Sequence, residues 1–194
     1  PVRRFVSSYN FQHGGTYRGG IAKENDFDAF CSKALFETDN KFWRNGQTYV
    51  LGGSRSEARL GKIRERAEQG RLVLLPMERF DESCILLEKL FPDDFSDCSY
   101  ARLNVSNQST SVSEAQSAAI ARYMDLDFKL LELANRQLDS ALDRQFPDST
   151  DRRGHMDDFR RRCGLKQRRQ KAARITGGIE RRVKRVLNKI ANFF

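Results

Sequence analysis

The opening segment carries an arginine and a hydroxyl group at a spacing that suits phosphate binding. Residues 1–12 (PVRRFVSSYNFQ) predict a helix, because Pro1 suits a first-turn position and the apolar residues fall on one face. Arg4 and Ser7 are three residues apart, so they are neighbours on the polar side of that helix. A guanidinium fork beside a hydroxyl group can hold a phosphate, although most helical Arg/Ser pairs face water. Arg4 and Ser7 are therefore candidate phosphate ligands.

Glu78 is a further candidate, in the charged stretch after a short apolar run. Residues 72–75 (LVLL) predict a strand buried on both faces, as in parallel sheets, with Pro76 at its end. Asp81 is placed to cap a helix whose apolar positions predict extensive burial. Ligand sites of α/β proteins form at the carboxyl ends of strands. Glu78 could accept a hydrogen bond from a ligand there, or form an ion pair with a nearby arginine.

Other reactive side chains give little support for catalysis or metal binding. Residues 13–20 are rich in glycine but lack the order of residues that defines a P-loop. His13 begins this stretch, and a lone histidine on a loop is weak evidence for a general base. No C-x-x-C pair occurs, and two histidines complete no zinc set, so no metal site is predicted. Buried thiols and disulfides are both compatible with the wide cysteine spacing: Cys31, Cys84, Cys98 and Cys163.

Caps and apolar periodicity predict the helices that would position these groups. The first covers residues 27–35 and follows a cap at Asn25 or Asp26, and the second covers residues 57–69 between a capping box at 54–57 and a stop at Gly70. Two more helices are predicted at residues 114–124, capped by Ser113, and at residues 126–146, which end before Pro147.

A helix followed by a buried strand is half of a βαβ crossover, which favours an α/β fold with a parallel sheet flanked by helices. Residues 48–53 predict a further short strand that is closed by glycines. Trp43 is expected in the core, in preference to stacking on a sugar or an adenine.

The segment P-V-R-R-F-V-S-S-Y resembles the end of the R-x-P-x-x-R-x-x-S-x-Y segment of PAPS-dependent carbohydrate sulfotransferases. In that family the leading arginine and the serine hold the 3′-phosphate of 3′-phosphoadenosine 5′-phosphosulfate (PAPS). The serine matches Ser7 and the second arginine matches Arg4, whereas the leading arginine would precede Pro1.

The stretch L-P-M-E-R-F-D-E-S-C-I-L-L resembles the E-x-F-D-E-S-L-V-L-L segment of galactose 3-O-sulfotransferases, the group that includes galactosylceramide sulfotransferase. Residues 99–104 (SYARLN) resemble the R-L-N segment of that group, and residues 127–142 resemble its downstream helix. Residues 13–20 and the last thirty match no segment of the family. The resemblance implies that residues 1–150 are the C-terminal part of a P-loop-like sulfotransferase domain whose phosphosulfate loop lies upstream.

Positive charge is concentrated at the C-terminal end of the chain. The formal net charge is +9, yet residues 152–194 carry 15 Lys and Arg against 3 Asp and Glu, and the remainder carries 20 against 23. This distribution argues against nucleic-acid binding by the protein as a whole. Residues 151–194 are predicted as a basic helical tail, broken at Gly177 and Gly178. From Ile179 to Phe194 an apolar stripe opposes a basic face, which suits a membrane surface, a partner or the protein's own domain. The same charge could also attract acidic glycans or PAPS by electrostatic steering.

The family resemblance implies transfer of a sulfuryl group from PAPS to a glycolipid or glycan hydroxyl, the galactose 3-OH in the closest group. Ser7, Arg4 and Glu78 are the candidate PAPS ligands, no metal is expected, and the catalytic base is expected upstream. The chain, as a fragment, is expected to be inactive. In a eukaryote the protein is expected in the Golgi lumen, anchored through an upstream segment, and otherwise in the cytoplasm or at a membrane. The alternative is a non-enzymatic module that binds an anionic membrane or polyanion through its basic tail.

Overall fold

Helices make up the regular structure of the described chain. A computed structural model describes residues 1–14, 21–37, 43–102 and 110–191, with side chains to residue 173. No β-strand occurs in these ranges, so the predicted α/β fold with a parallel sheet is wrong. The helices are α1 (Val2–Gly14), α2 (Phe27–Ser32), α3 (Gly46–Gly52), α4 (Glu57–Glu68), α5 (Phe80–Leu90), α6 (Glu114–Tyr123), α7 (Asp125–Gln145) and α8 (Ser149–Ala191). Short 3₁₀ turns lie at Ile21–Lys23 and Met77–Arg79, and a π-helical turn, Lys33–Glu37, continues α2.

The predicted strand at residues 72–75 is an extended segment paired with a side chain. The Leu74 N–H donates to Oε1 of Gln137 on α7 at 2.8 Å, and Gln137 Nε2 donates to the Leu72 carbonyl at 2.8 Å. One side-chain amide thus makes the two hydrogen bonds that a neighbouring strand would otherwise make. Leu74 is buried but Val73 is 47% exposed, so the segment is covered on one side only.

Residues 46–52 form α3 where the sequence predicts a short strand. The carboxylate of Asp127 accepts hydrogen bonds from the backbone N–H groups of Gln47 at 3.1 Å and Thr48 at 2.7 Å. These are first-turn N–H groups, which have no partner inside a helix. The cap therefore comes from α7, far along the chain, and no local pattern indicates it. Gly53, at φ 75°, ends the helix where glycines had suggested the end of a strand.

Local capping signals correctly predict several helix ends. The side chains of Asp26 and Ser113 accept hydrogen bonds from first-turn N–H groups of α2 and α6, as predicted. Helix α4 is capped by Ser56, which accepts from the Arg59 N–H, so the predicted capping box that begins at Ser54 is wrong. Gly70 follows α4 in the left-handed region at φ 71°, as expected of a stop signal. The predicted cap of α5 is wrong, because α5 begins at Phe80 and Asp81 is a first-turn residue of the helix.

The first of two compact units comprises Pro1–Pro76 and Ser106–Ser140. Its aromatic core joins α1 and α2 to Trp43, with the Phe5 ring 5.2 Å from Phe30 and 5.5 Å from Trp43. Trp43 is 7% exposed, which confirms its predicted core position. A second cluster packs apolar residues of α4 against α7 and Leu74. Each large side chain buried in these clusters stabilises the fold by roughly 1.5–3 kcal/mol.

The second unit comprises Met77–Val105 and Ala141–Phe194, and contains α5 and α8. Cys84, Ile85 and Leu86 of α5 are at most 4% exposed, which confirms the predicted burial of that helix. Phe159 of α8 is fully buried. Carboxylates of α5 bind arginines of α8: Glu88 accepts two hydrogen bonds from Arg162, at 2.8 and 2.6 Å.

The C-terminal helix α8 begins just before the predicted start of the basic tail. Its backbone is helical from Ser149 to Ala191, so the predicted break at Gly177 and Gly178 is wrong. A glycine inside a helix costs about 1 kcal/mol relative to alanine, and the helix-forming residues on both sides offset that cost. Among the described residues, no helix combines the length and the apolar character that crossing a membrane requires.

Candidate functional site

Arg4 is held by a buried carboxylate in the first unit. Its Nη2 lies 3.2 Å from Oδ2 of Asp127, whose side chain is fully buried, whereas the Arg4 side chain is 32% exposed. The same carboxylate caps α3 and accepts a hydrogen bond from the Thr48 hydroxyl at 2.9 Å. Arg4 borders a depression of about 270 Å³ beside Gly46 and Gln47. Asp127 thus fixes one edge of the guanidinium group at the rim of this depression.

Ser7 lies one turn further along α1 and is exposed to solvent. The predicted helix is confirmed as α1, with Phe5 and Tyr9 buried on its apolar face. The spacing of Arg4 and Ser7 on this helix is the one on which the phosphate prediction depends. Their role as ligands stays a prediction.

Glu78 lies in the 3₁₀ turn Met77–Arg79 of the second unit and is exposed. The predicted setting of this carboxylate at the end of a strand is wrong, because residues 72–75 form no strand. Its role as a PAPS ligand stays a prediction. The structure describes Glu78 in one unit and Arg4 with Ser7 in the other.

A groove of about 380 Å³ in the second unit brings together residues that the sequence analysis did not connect. The Tyr100 hydroxyl donates to Asp81 Oδ1 at 2.7 Å, and the Tyr100 ring lies 5.0 Å from the Phe80 ring. The Arg102 backbone N–H donates to Oε1 of Gln167 at 2.6 Å, which ties this segment to α8. Six polar residues lining the groove are Asp81, Tyr100, Arg102, Arg160, Gln167 and Lys171.

The groove carries three cationic side chains and one carboxylate. Arg160 Nε lies 3.9 Å from Oδ2 of Asp81, and Arg102 and Lys171 provide the other positive charges. Burial raises the pKa of Tyr100, and so does its hydrogen bond to Asp81, whereas Arg102 acts in the opposite direction. The hydroxyl is therefore protonated at neutral pH and remains a donor to Asp81.

Carboxylates elsewhere in this unit are matched by other cations. The hydrogen bond from Arg79 lowers the pKa of Glu82, and the hydrogen bond from Arg152 lowers it further. Burial of the carboxylate acts in the opposite direction but does not outweigh them. Hydrogen bonds from Lys166 and Ser99 hold the pKa of Asp97 well below its usual range. These carboxylates are ionised at neutral pH and bind α8 through cations that do not line the groove.

The cysteine side chains are free thiols. Burial raises the pKa of Cys31 to about 11 and that of Cys84 to about 12, so neither thiol is an effective nucleophile at neutral pH. His13 donates from Nδ1 to the Ala22 carbonyl at 2.8 Å and stacks on Tyr9. In the part of the chain that the structure describes, no group of three or more His, Cys, Asp or Glu side chains is arranged to hold a metal ion.

The sequence contains one signal for this groove, on α8. The segments F-D-E-S and Y-A-R-L-N were singled out as family markers, but nothing in them indicates that Asp81 and Tyr100 are bonded. On α8, Arg160, Gln167 and Lys171 are seven and four residues apart, which places them on one helical face. That spacing would have identified the third wall of the groove.

A protein-family model described as galactose-3-O-sulfotransferase matches residues 18–178 of the chain. The match begins after Arg4 and Ser7 and includes Glu78, the groove residues and α7. Comparisons with curated proteins and with solved structures gave no match. The family model spans well over half of the chain and confirms the resemblance found in F-D-E-S and R-L-N. The chain belongs to the galactose-3-O-sulfotransferase family.

Proposed function

We propose that the protein transfers a sulfuryl group from PAPS to the 3-hydroxyl of a galactose residue in a glycolipid or glycan. The family match over residues 18–178 carries this proposal, because it identifies a transferase of sulfuryl groups. In the reaction, the acceptor oxygen bonds to sulfur while the bond from sulfur to the donor phosphate oxygen breaks. A base takes the proton of the hydroxyl, and 3′-phosphoadenosine 5′-phosphate leaves. The residues proposed below contribute by binding and orienting.

We propose Ser7, Arg4 and Glu78 as donor ligands. Arg4 and Ser7 share one side of α1, and the contact with Asp127 fixes part of the Arg4 guanidinium before any ligand binds. A fork held in this way loses less conformational freedom when it binds a phosphate. Glu78 is exposed at the start of the F-D-E-S segment, where its carboxylate can accept a hydrogen bond from an adenine amino group or a ribose hydroxyl.

The test uses the whole product of the gene, radiolabelled PAPS, and galactosylceramide or lactose as acceptor. We expect label on the galactose, and none on matched acceptors in which the galactose 3-oxygen is methylated. Ser7→Ala is expected to raise the KM for PAPS more than the KM for acceptor. Label on both the free and the methylated acceptors would contradict the proposed position, and no transfer to any galactoside would contradict the proposed function.

We also propose that residues 179–194 contact a membrane surface, with the protein in the Golgi lumen if its source is eukaryotic. In a helix, the apolar residues of this segment would form one stripe and its basic residues would lie on the opposite side. The expected result is sedimentation with vesicles that contain anionic lipid but not with neutral vesicles. Replacing Arg181, Arg182 and Arg185 by glutamine should abolish it, and equal binding to both kinds of vesicle would contradict the proposal.

A further inference from the structure

We infer that the groove of the second unit binds a small ligand through a sulfate or phosphate ester, with Arg102 and Arg160 as the ester's ligands. This inference builds on the proposed function, because the donor and the sulfated sugar both carry such an ester. It assigns a role to residues outside the predicted set of Ser7, Arg4 and Glu78. The groove volume of about 380 Å³ falls within the range of roughly 300–1,000 Å³ that is typical of small-molecule sites.

The charges of the groove favour an anion. Arg102, Arg160 and Lys171 line it against the single carboxylate of Asp81. Arg160 is 63% exposed, and its contacts with Asp81 and Asp157 are long, at 3.9 and 4.0 Å. An arginine in loose, exposed contacts of this kind can turn to a ligand at little cost. A guanidinium group binds the oxygen atoms of a sulfate or phosphate through two parallel N–H groups.

Two arginines of α8 that lie outside the groove, Arg152 and Arg162, bind carboxylates of α5. Arg162 binds Glu88 through two hydrogen bonds and Asp97 at 2.6 Å. Arg152 binds Glu82. Because these pairs fix α8 against α5 without using Arg160, the groove keeps its shape when Arg160 moves toward a ligand.

The remaining polar groups suit the neutral part of such a ligand. Asp81 accepts a hydrogen bond from Tyr100 and retains lone pairs for a sugar hydroxyl. The Tyr100 ring, supported by Phe80 at 5.0 Å, offers a flat apolar face to a sugar or a purine. Gln167 fixes the backbone of Arg102. Gln167 is therefore a positioning residue, Tyr100 is the expected contact to the sugar or purine, and the arginines are the expected contacts to the ester.

The experiment measures binding to the 194-residue chain by isothermal titration calorimetry at constant ionic strength. The probes are galactose 3-sulfate, 3′-phosphoadenosine 5′-phosphate, inorganic sulfate and unmodified galactose. The variants are Arg102→Ala and Arg160→Ala, with Arg169→Ala as a matched control, because Arg169 is an exposed arginine of α8 that does not line the groove. Thermal unfolding of each variant shows whether the fold is retained.

We expect at least one of the two esters to bind more tightly than inorganic sulfate, and galactose to bind more weakly than its sulfate. Arg102→Ala and Arg160→Ala should each weaken ester binding on the order of 10- to 100-fold, as expected on loss of a charge-assisted contact, and Arg169→Ala by less than about 2-fold. The tighter ester identifies the source, the sugar product or the donor nucleotide. Tyr100→Phe keeps the ring and loses only the hydrogen bond to Asp81, so it should weaken binding less than either arginine variant.

No binding of either ester, or an equal loss in Arg169→Ala, would overturn the inference. Loss of ester binding in the arginine variants together with a collapsed unfolding transition in both would also count against it. A different result would contradict the proposed function. Transfer of label by the whole gene product without ester binding in the groove would refute the groove alone, and ester binding without transfer to galactose would refute the reaction alone.

Discussion

Replacing Asp127 by alanine should destabilise the protein strongly. The change removes the acceptor of the Gln47 and Thr48 backbone N–H groups, of the Thr48 hydroxyl and of Arg4. Thr48 is fully buried, so water cannot replace the lost acceptor without opening the structure. Hydrogen bonds to a charged group contribute about 1.5–3 kcal/mol each and are not additive, and removing one partner of a buried ion pair costs about 3–5 kcal/mol. We therefore expect a loss of roughly 3–5 kcal/mol.

Urea denaturation followed by circular dichroism measures this loss. With a slope of about 2 kcal/mol per molar urea, the midpoint should fall by about 1.5–2.5 M. Asp125→Ala is the matched control, because Asp125 lies in the same first turn of α7, is 51% exposed and contacts Asn45 and Lys129. An exposed pair of this kind contributes less than about 1 kcal/mol. Equal midpoints for the two variants would refute the argument that the buried carboxylate organises α3.

Three further predictions concern the extended segment, the carboxylates and the thiols. Gln137→Leu should cost roughly 1–3 kcal/mol by urea denaturation, since the hydrogen bonds of Leu72 and Leu74 are lost, and an unchanged midpoint would contradict this. The pKa of Asp97 is lowered in the folded state, so its contribution to stability is present above about pH 4 and is lost as pH falls through the folded value. Asp97→Asn should therefore reduce the difference in urea midpoint between pH 7 and pH 3, and an equal difference in both proteins would count against it. At pH 8, Cys31 and Cys84 should resist iodoacetamide until urea unfolds the chain, because burial raises the pKa of both thiols; mass spectrometry showing early modification would disprove this.

Signals contained in a few consecutive residues were sufficient to predict most helices. Asp26 and Ser113 cap helices through bonds to residues three positions along the chain, and the apolar positions of α7 recur at helical spacing. The family, too, was identified from short segments such as F-D-E-S and R-L-N, and the match over residues 18–178 confirms it. Each of these signals lies within one element, so it can be recognised without knowing which residues pack against that element.

The two strand predictions were wrong because the partners of these segments' backbone groups lie far away in the sequence. Strand and helix both require partners for their backbone groups, and a short apolar run fits either. For residues 72–75 the partner is the side chain of Gln137, and for residues 46–52 it is the carboxylate of Asp127. Both belong to α7, which packs there only in the folded chain.

By itself, the sequence determined the family, most of the helices and the candidate phosphate ligands Arg4 and Ser7. Only the tertiary structure decided that Arg4 binds a buried carboxylate and that Asp81 and Tyr100 meet in a groove lined by Arg102 and one face of α8. The reason is the range of the forces involved. Propensity and capping act over a single turn, whereas a charge-paired site requires side chains from distant segments at hydrogen-bond distance, and packing alone sets that distance.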